Sequence, residues 1–189
     1  MERPLLILPV DDTLTLIEAT EADAGLLFRA IDAWRDDLRR WLPFVDNLHT
    51  EADEAAFLSG LCAVPTDLRN YTFKIFSDGA FCGLVGFVST DPVNRKTEVG
   101  YWLLPPWRGR GIMSRCVAAL CLWAFDVRVM NRVQIKCAVG NAPSNAIPRR
   151  LGFRLEGVER AGEYAGDGRY YDLNVYSLLA QERDNLSGL

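Results

Sequence analysis

Residues 98–114 read Glu-Val-Gly-Tyr-Trp-Leu-Leu-Pro-Pro-Trp-Arg-Gly-Arg-Gly-Ile-Met-Ser. An alternating strand pattern stops at two prolines, which lack the N–H that sheet pairing needs. Two glycines spaced by one arginine follow, and a helical pattern opens directly after them. A junction of this kind aims several backbone N–H groups and the positive end of a helix at one point. That point suits a pyrophosphate. The plainer reading is a tight turn whose glycines only relieve strain, and the flanking arginines argue against it.

The rest of the chain arranges itself around this junction. Two apolar runs within 4–19, split by Asp11-Asp12-Thr13, read as strand, turn and strand. Thr20 and Asp23 form a capping pattern before a helix predicted over 22–38, with Ala24, Leu27, Phe28, Ile31, Trp34 and Leu38 on one face. Thr50 caps a second helix over 51–63. Period-two alternation then predicts strands at 71–76, 81–90 and 96–104. A helix over 110–127 places Met113, Cys116, Val117, Leu120, Ala124 and Val127 at helical spacing. A buried strand at 132–139, a short helix near 143–150 and a strand near 153–160 complete the order. Gly166-Asp167-Gly168 then reads as a hairpin tip leading into a last strand at 169–180. The expectation is a single domain over 1–189, with 181–189 as a flexible tail. Its fold class is α/β (α+β), a mixed, mostly antiparallel sheet of about seven strands with four helices.

Composition narrows the chemistry. No run approaches the roughly 18 apolar residues of a membrane span, and the early Glu2 with Pro4 and Pro9 argues against a signal peptide. A cytoplasmic location is expected. The five cysteines form no C-x-x-C pair and read as small buried hydrophobes. His49 is the only histidine, so neither a zinc cluster nor a His-based nucleophile mechanism is expected. Acid–base work then falls to carboxylates, hydroxyls or water. A net charge of −4 gives no sign of a nucleic-acid-coating surface.

Two familiar phosphate loops fail here. Position 114 is Ser where G-x-G-x-x-G needs Gly or Ala, and no Gly-Lys-Ser/Thr occurs at the turn. The residues instead resemble the GNAT superfamily of acyl-CoA N-acyltransferases. Arg108-Gly109-Arg110-Gly111-Ile112 is similar to the (Gln/Arg)-x-x-Gly-x-(Gly/Ala) signature through its fourth position, and Met113 departs from it at the sixth. Gly-Ile-Met is similar to the RimL/RimJ-like branch of ribosomal-protein N-terminal acetyltransferases. So are Trp41-Leu42-Pro43-Phe44-Val45-Asp46, Asn141-Ala142-Pro143-Ser144-Asn145 and the Gly152-Phe153-Arg154-Leu155-Glu156-Gly157 segment. These motifs occur in order across nearly the whole chain.

The resemblance implies a GNAT fold whose sheet splays open beside strand 98–104, and acetyl-CoA as cosubstrate, leaving as CoA, with no metal. Pantetheine would pair with backbone near Trp102, Leu103 and Leu104. The pyrophosphate would lie over Gly109, Arg110, Gly111, Ile112 and Met113, with Arg108 and Arg110 adding charge or lying in solvent. Asn141 and Asn145 are further implied cofactor contacts. Ser144 is implied as the acid that protonates the departing thiolate; as a sequence feature alone, it is equally a helix-capping residue. Glu163 is implied as the general base, and otherwise reads as an exposed hairpin carboxylate, with Tyr164 and Tyr101 as neighbours. Glu98 is the alternative base. It shares a strand face with Gly100 and Trp102, and an ion pair with Arg95 or Lys96 is its simpler role. Direct transfer needs no covalent nucleophile, so Cys116, Cys121 and Cys137 stay outside the mechanism.

Trp34, Arg35, Trp41, Phe44 and Tyr164 are the expected lining of the acceptor pocket, although aromatics at helical spacing such as Trp34 more often serve the core. Three readings stay open. The first acetylates the α-amine of a protein N-terminus. The second acetylates a small amine such as an antibiotic, a peptide-nucleotide toxin or a polyamine. The third binds acyl-CoA without catalysis. A homodimer is expected from the resemblance, with no membrane or direct nucleic-acid partner.

Overall fold

The computed structural model describes residues 4–166 and 168–186. In chain order its strands and α-helices are β1 (Ile7–Pro9), β2 (Leu14–Glu18), α1 (Ala24–Ala33), α2 (Arg35–Leu38), α3 (Glu51–Ala63), β3 (Thr72–Ser77), β4 (Ala80–Asp91), β5 (Lys96–Leu103), α4 (Ile112–Asp126), β6 (Arg132–Ala138), α5 (Ala142–Arg150), β7 (Arg154–Gly166) and β8 (Arg169–Leu179). They form two compact units. The first comprises 1–19, 70–134 and 178–189, and the second 20–69 and 135–177.

In the first unit the strand order is β1-β2-β3-β4-β5-β6. The β1 to β5 ladders are antiparallel and β5–β6 is parallel. The β5–β6 ladder covers only Lys96↔Arg132 to Glu98↔Gln134, whereas β5 pairs with β4 from Lys96 to Leu103. Helix α4 lies on β2, β4 and β5 through fully buried Cys116, Val117, Leu120, Cys121 and Ala124. Trp123 meets Tyr71 and Phe73 edge-on at 5.3 and 5.7 Å and stacks on Phe87 at 5.8 Å. Rings in these geometries add to the stabilisation from burial. Val127, expected on the buried face, is exposed because α4 ends at Asp126.

The second unit packs α1 against α3 and continues the strand order as β6-β8-β7. Leu27, Ile31, Val45, Leu58, Ile135, Leu151 and Tyr176 are its buried centre. Thr50 caps α3 by accepting from the Asp53 N–H, while Asp53 accepts from the Thr50 N–H. These reciprocal bonds satisfy donors that the first helical turn leaves open.

The antiparallel-dominated mixed fold is as expected, with eight strands and five α-helices among the described residues rather than about seven and four. The segment 4–19 forms the expected strand, turn and strand, with the Asp11 carboxylate accepting from the N–H groups of Thr13 and Leu14 at 2.8 and 3.0 Å, which folds it back. The additional helix arises because the predicted 22–38 helix breaks at Trp34, whose φ of −125° leaves the helical region. Residues 180–186, expected within or beside a flexible tail, form a 3-10 helix that buries Leu186. Residues 187–189 lie outside the described residues, as does Asp167 of the expected hairpin tip. β7 runs six residues further than the strand predicted near 153–160.

Candidate cofactor turn and acceptor-side residues

The turn in the first unit begins with a 3-10 helix at Pro105–Trp107. Gly109 and Gly111 then take φ of +76° and +72°, the left-handed region that costs an L-residue about 1–2 kcal/mol. Gly111 is the N-cap of α4. The N–H groups of Ile112 and Met113 therefore have no acceptor inside their own helix. Both side chains are buried, which anchors this helix end in the core. Added Cβ atoms at Gly109 and Gly111 would meet nothing within 4 Å, so both glycines border open space. The two arginines serve the turn itself. Arg108 Nε donates to the Leu103 carbonyl at 3.1 Å, and the Arg110 guanidinium lies over the Trp107 ring at 5.1 Å. A left-handed pair opening a fifteen-residue helix fits a pyrophosphate.

At the end of β5 the structure corrects the expected backbone contacts. The Leu104 N–H donates to the Cys82 carbonyl at 2.9 Å. Bonding direction alternates along an antiparallel strand, so the Trp102 backbone also faces β4. The Trp102 carbonyl closes on Gly83, where a Cβ would collide with it. Tyr101 and Leu103 are the residues whose backbone groups face away from β4. Trp102 and Leu104, both expected at the pantetheine, thus bond toward β4, and the open backbone of Tyr101 follows from register, which sequence spacing does not set. Glu98 lies in this unit and is half-buried, with Gln134 Nε2 donating to it at 3.0 Å.

In the second unit Asn141 caps α5 by accepting from the Ser144 N–H at 3.2 Å. Ser144 is therefore not the cap. Its hydroxyl lies 3.1 Å from Cys137 Sγ, toward which it donates, and the residue is half-buried. Asn145, expected as a cofactor contact, is instead a core element and 2% exposed. Its amide donates to the Ala138 and Asn141 carbonyls, and its oxygen accepts from Asn174 Nδ2 and the Tyr176 hydroxyl. Every donor and lone pair of that amide is engaged.

Glu163 stands on β7 directly opposite Tyr171 and is exposed. The β7–β8 ladder is irregular on both sides of this pair. Such bulges re-aim side chains. Tyr164 stacks obliquely on Tyr170 at 5.1 Å. Trp41 lies against Tyr171 at 5.6 Å, and the Tyr171 hydroxyl donates to the Arg40 carbonyl at 2.7 Å. Trp34 and Phe44 are 39% and 46% exposed, so neither serves the core. Arg35 is a local brace, donating to the Val45 and Leu48 carbonyls. A cavity of about 620 Å³ opens among Arg39, Arg40, Trp41, Arg169 and Tyr171. Of these, the sequence had singled out only Trp41.

Burial pushes the Cys82 and Cys121 thiols up from their ordinary range and the Cys116 thiol up to about 12. Thiols so held are poor nucleophiles near neutrality. Among the described residues no group of three His, Cys, Asp or Glu is placed to hold a metal ion, and no helix is long and apolar enough to cross a membrane.

A mixed sheet feeding a glycine turn and a fifteen-residue helix defines an α/β protein whose helix N-terminus suits an anion. The chain belongs to the acetyltransferase (GNAT) domain family, whose model matches residues 13–154. It is 35% identical over 175 residues to YdaF of Bacillus subtilis (strain 168), covering 92% of this chain and 94% of that one. It is 31% identical over 175 residues to the ribosomal-protein-serine acetyltransferase of Escherichia coli (strain K12), covering 90% and 94%. A solved structure of RimL, a ribosomal α-N-protein acetyltransferase in complex with coenzyme A, superposes with a TM-score of 0.86 at 30% identity, covering 92% of this chain and 98% of that one. The protein is an acetyl-CoA-dependent N-acetyltransferase.

Proposed function

We propose that this acetyltransferase acts on the N-terminal α-amine of a protein of ribosomal type. The observation that carries the reading is kinship over nine-tenths of both chains with an enzyme named for a ribosomal-protein serine. Bound acetyl-CoA supplies a thioester whose acyl carbon an amine can attack. The turn at Gly109–Met113 holds the pyrophosphate through backbone N–H groups, and Tyr101 and Leu103 offer the pantetheine a strand edge. Glu163 takes the proton that the ammonium must lose before the amine is nucleophilic. Ser144 gives its hydroxyl proton to the sulfur as the C–S bond breaks and regains a proton from solvent. Asn141 positions Ser144 through the cap bond. Asn145 holds the strand and helix that carry them.

The exposure of Glu163 sets a requirement: bound acceptor must cover the carboxylate so that the two meet directly and without intervening water. Glu98, the alternative base, is already engaged by the Gln134 amide, whose Nε2 donates to it at 3.0 Å. Homodimerisation belongs to the same proposal, with the terminal strand β7 as its support, and sedimentation velocity tests it. A cytoplasmic location is likewise proposed, and cell fractionation tests it.

The functional test is free-thiol release from acetyl-CoA with peptides bearing ribosomal-protein N-termini, set beside spermidine and aminoacyl nucleotides. Rapid release with the peptides is expected. Release with small amines alone would replace this acceptor. Tight acetyl-CoA binding with no release from any amine would point to a sensor.

A further inference from the structure

Glu163 sits where the last hairpin departs from regular pairing, and the departure has a definite construction. Glu159 of β7 pairs with Leu173 and Glu163 with Tyr171, so residues 160–162 stand opposite Asp172 alone. A bulge bends its strand and turns the side chains that follow it. Ala161 takes a φ of +50°, in the left-handed region that disfavours any residue with a Cβ. Its N–H donates to the Asp172 carboxylate at 2.8 Å. A Cβ added at Gly162 would come within 2.9 Å of Leu173 Cδ1, so the leucine packs on bare backbone there. β8 thus holds an unfavourable conformation in place two residues before the base, and strain of this kind gathers at functional positions.

Tyr171 completes the arrangement. Residues directly opposite on antiparallel strands share a face, with Cβ atoms about 4.5–5.5 Å apart. The Tyr171 ring therefore stands beside the Glu163 side chain, while the next pair, Tyr164 and Tyr170, meets on the other face at 5.1 Å. The Tyr171 ring is fixed at both ends. Its backbone lies in β8, its hydroxyl donates to the Arg40 carbonyl at 2.7 Å, and Trp41 lies against it at 5.6 Å. A glutamate has several rotatable bonds, and proton abstraction works only within a narrow geometry. A fixed ring on one side and a braced bulge behind restrict where the carboxylate goes.

We propose that β8 aims the general base: Tyr171 and Asp172 are positioning residues, Asp172 holding the bulge that turns Glu163 and Tyr171 forming the wall beside its carboxylate. The inference rests on Glu163 as the base and adds what holds it in place.

Tyr171→Phe keeps the ring and removes the bond to Arg40. Asp172→Ala removes the acceptor for Ala161, and Asp172→Asn keeps an oxygen there. Free-thiol release is followed with a ribosomal-protein N-terminal peptide, or with spermidine where the wild type uses only that amine, and acetyl-CoA affinity is measured by calorimetry. Tyr171→Phe combined with Asp172→Ala should lower kcat about tenfold with acetyl-CoA affinity unchanged, and Asp172→Asn in place of Asp172→Ala should restore part of that loss. In a Glu163→Gln background the same pair should lower kcat less than about twofold, because no base is left to aim. Wild-type kcat in the pair, beside an impaired Glu163→Gln, overturns the inference and leaves the base standing. An equal loss with and without Glu163, or a matching loss of acetyl-CoA affinity, marks a purely structural role and also overturns it. Wild-type kcat in Glu163→Gln, or no thiol release from either amine, overturns both. Where the pair fails to fold by circular dichroism, Tyr171→Phe alone decides: kcat about threefold below wild type is expected, and an unchanged kcat overturns the inference.

Discussion

The glycine turn of the first unit and the hairpin of the second stand at opposite ends of a scale of local constraint. The turn is held from within its own sequence. Two left-handed glycines, a proline pair and two buried residues at the start of α4 set its shape across ten residues. The hairpin side is assembled from afar. The hydrogen bond from Tyr171 to the Arg40 carbonyl joins residues 131 apart in sequence, and Glu163, Tyr164 and Tyr170 are all exposed. In the proposed function, a cosubstrate that does not vary is met by backbone, whose geometry side-chain substitution hardly alters, and an acceptor that does vary is met by exposed side chains. The contrast teaches that binding and chemistry should fail separately when each region is damaged.

The largest effect expected from breaking that separation is at Glu163. Glu163→Gln should lower kcat by well over tenfold, toward the ~10²-fold typical of a lost general base, with acetyl-CoA affinity unchanged by calorimetry. A near-wild-type kcat would transfer the role to Glu98 or to water alone, and Glu98→Gln then decides between them. On the turn, Gly111→Ala forces a side chain into a φ of +72° at about 1–2 kcal/mol. Acetyl-CoA should bind about tenfold more weakly, while kcat at saturating cosubstrate holds. Loss of kcat with unchanged affinity would contradict the assignment of the pyrophosphate to this turn.

Ser144→Ala should lower kcat roughly fivefold to tenfold, within the range of a weakened acid, and leave thermal stability alone because the cap bond uses the Ser144 backbone. Asn141→Ala should instead cost about 1 kcal/mol of stability, read by chemical denaturation. The smallest effect lies outside both regions. Glu54 is 4% exposed, and burial raises its pKa from 4.5 to about 6. A carboxyl with a raised folded-state pKa favours the protonated native form, so its contribution to stability is lost as pH rises from about 4.5 through about 6. Glu54→Gln should therefore be more stable than wild type above pH ~6 by about 1–2 kcal/mol. That gain should close below pH ~4.5.

The same contrast explains how much the sequence alone discloses. Capping at Thr50, the alternation of β5 and the buried face of α4 are local, and each is legible as spacing. So is the turn. Trp34 is less so, because the break after α1 lies within an unbroken helical pattern. Asn145 looked like a cofactor contact beside Ser144 because its partners Asn174 and Tyr176 are about thirty residues away. Arg169 and Arg40 carry no mark of a shared groove until β8 is placed beside the loop after α2. Trp102 and Tyr101 differ only in the direction their backbones bond, which register determines and composition does not.

The central claim is that the acceptor is the α-amine of a polypeptide. Tandem mass spectrometry of a ribosomal-protein N-terminal peptide, containing an internal lysine and incubated with acetyl-CoA and the wild-type protein, addresses it directly. The acetyl group should appear on the α-amine and be nearly absent when Glu163→Gln replaces the wild type. Acetylation of the lysine side chain instead, or of spermidine with the peptide untouched, would contradict the account.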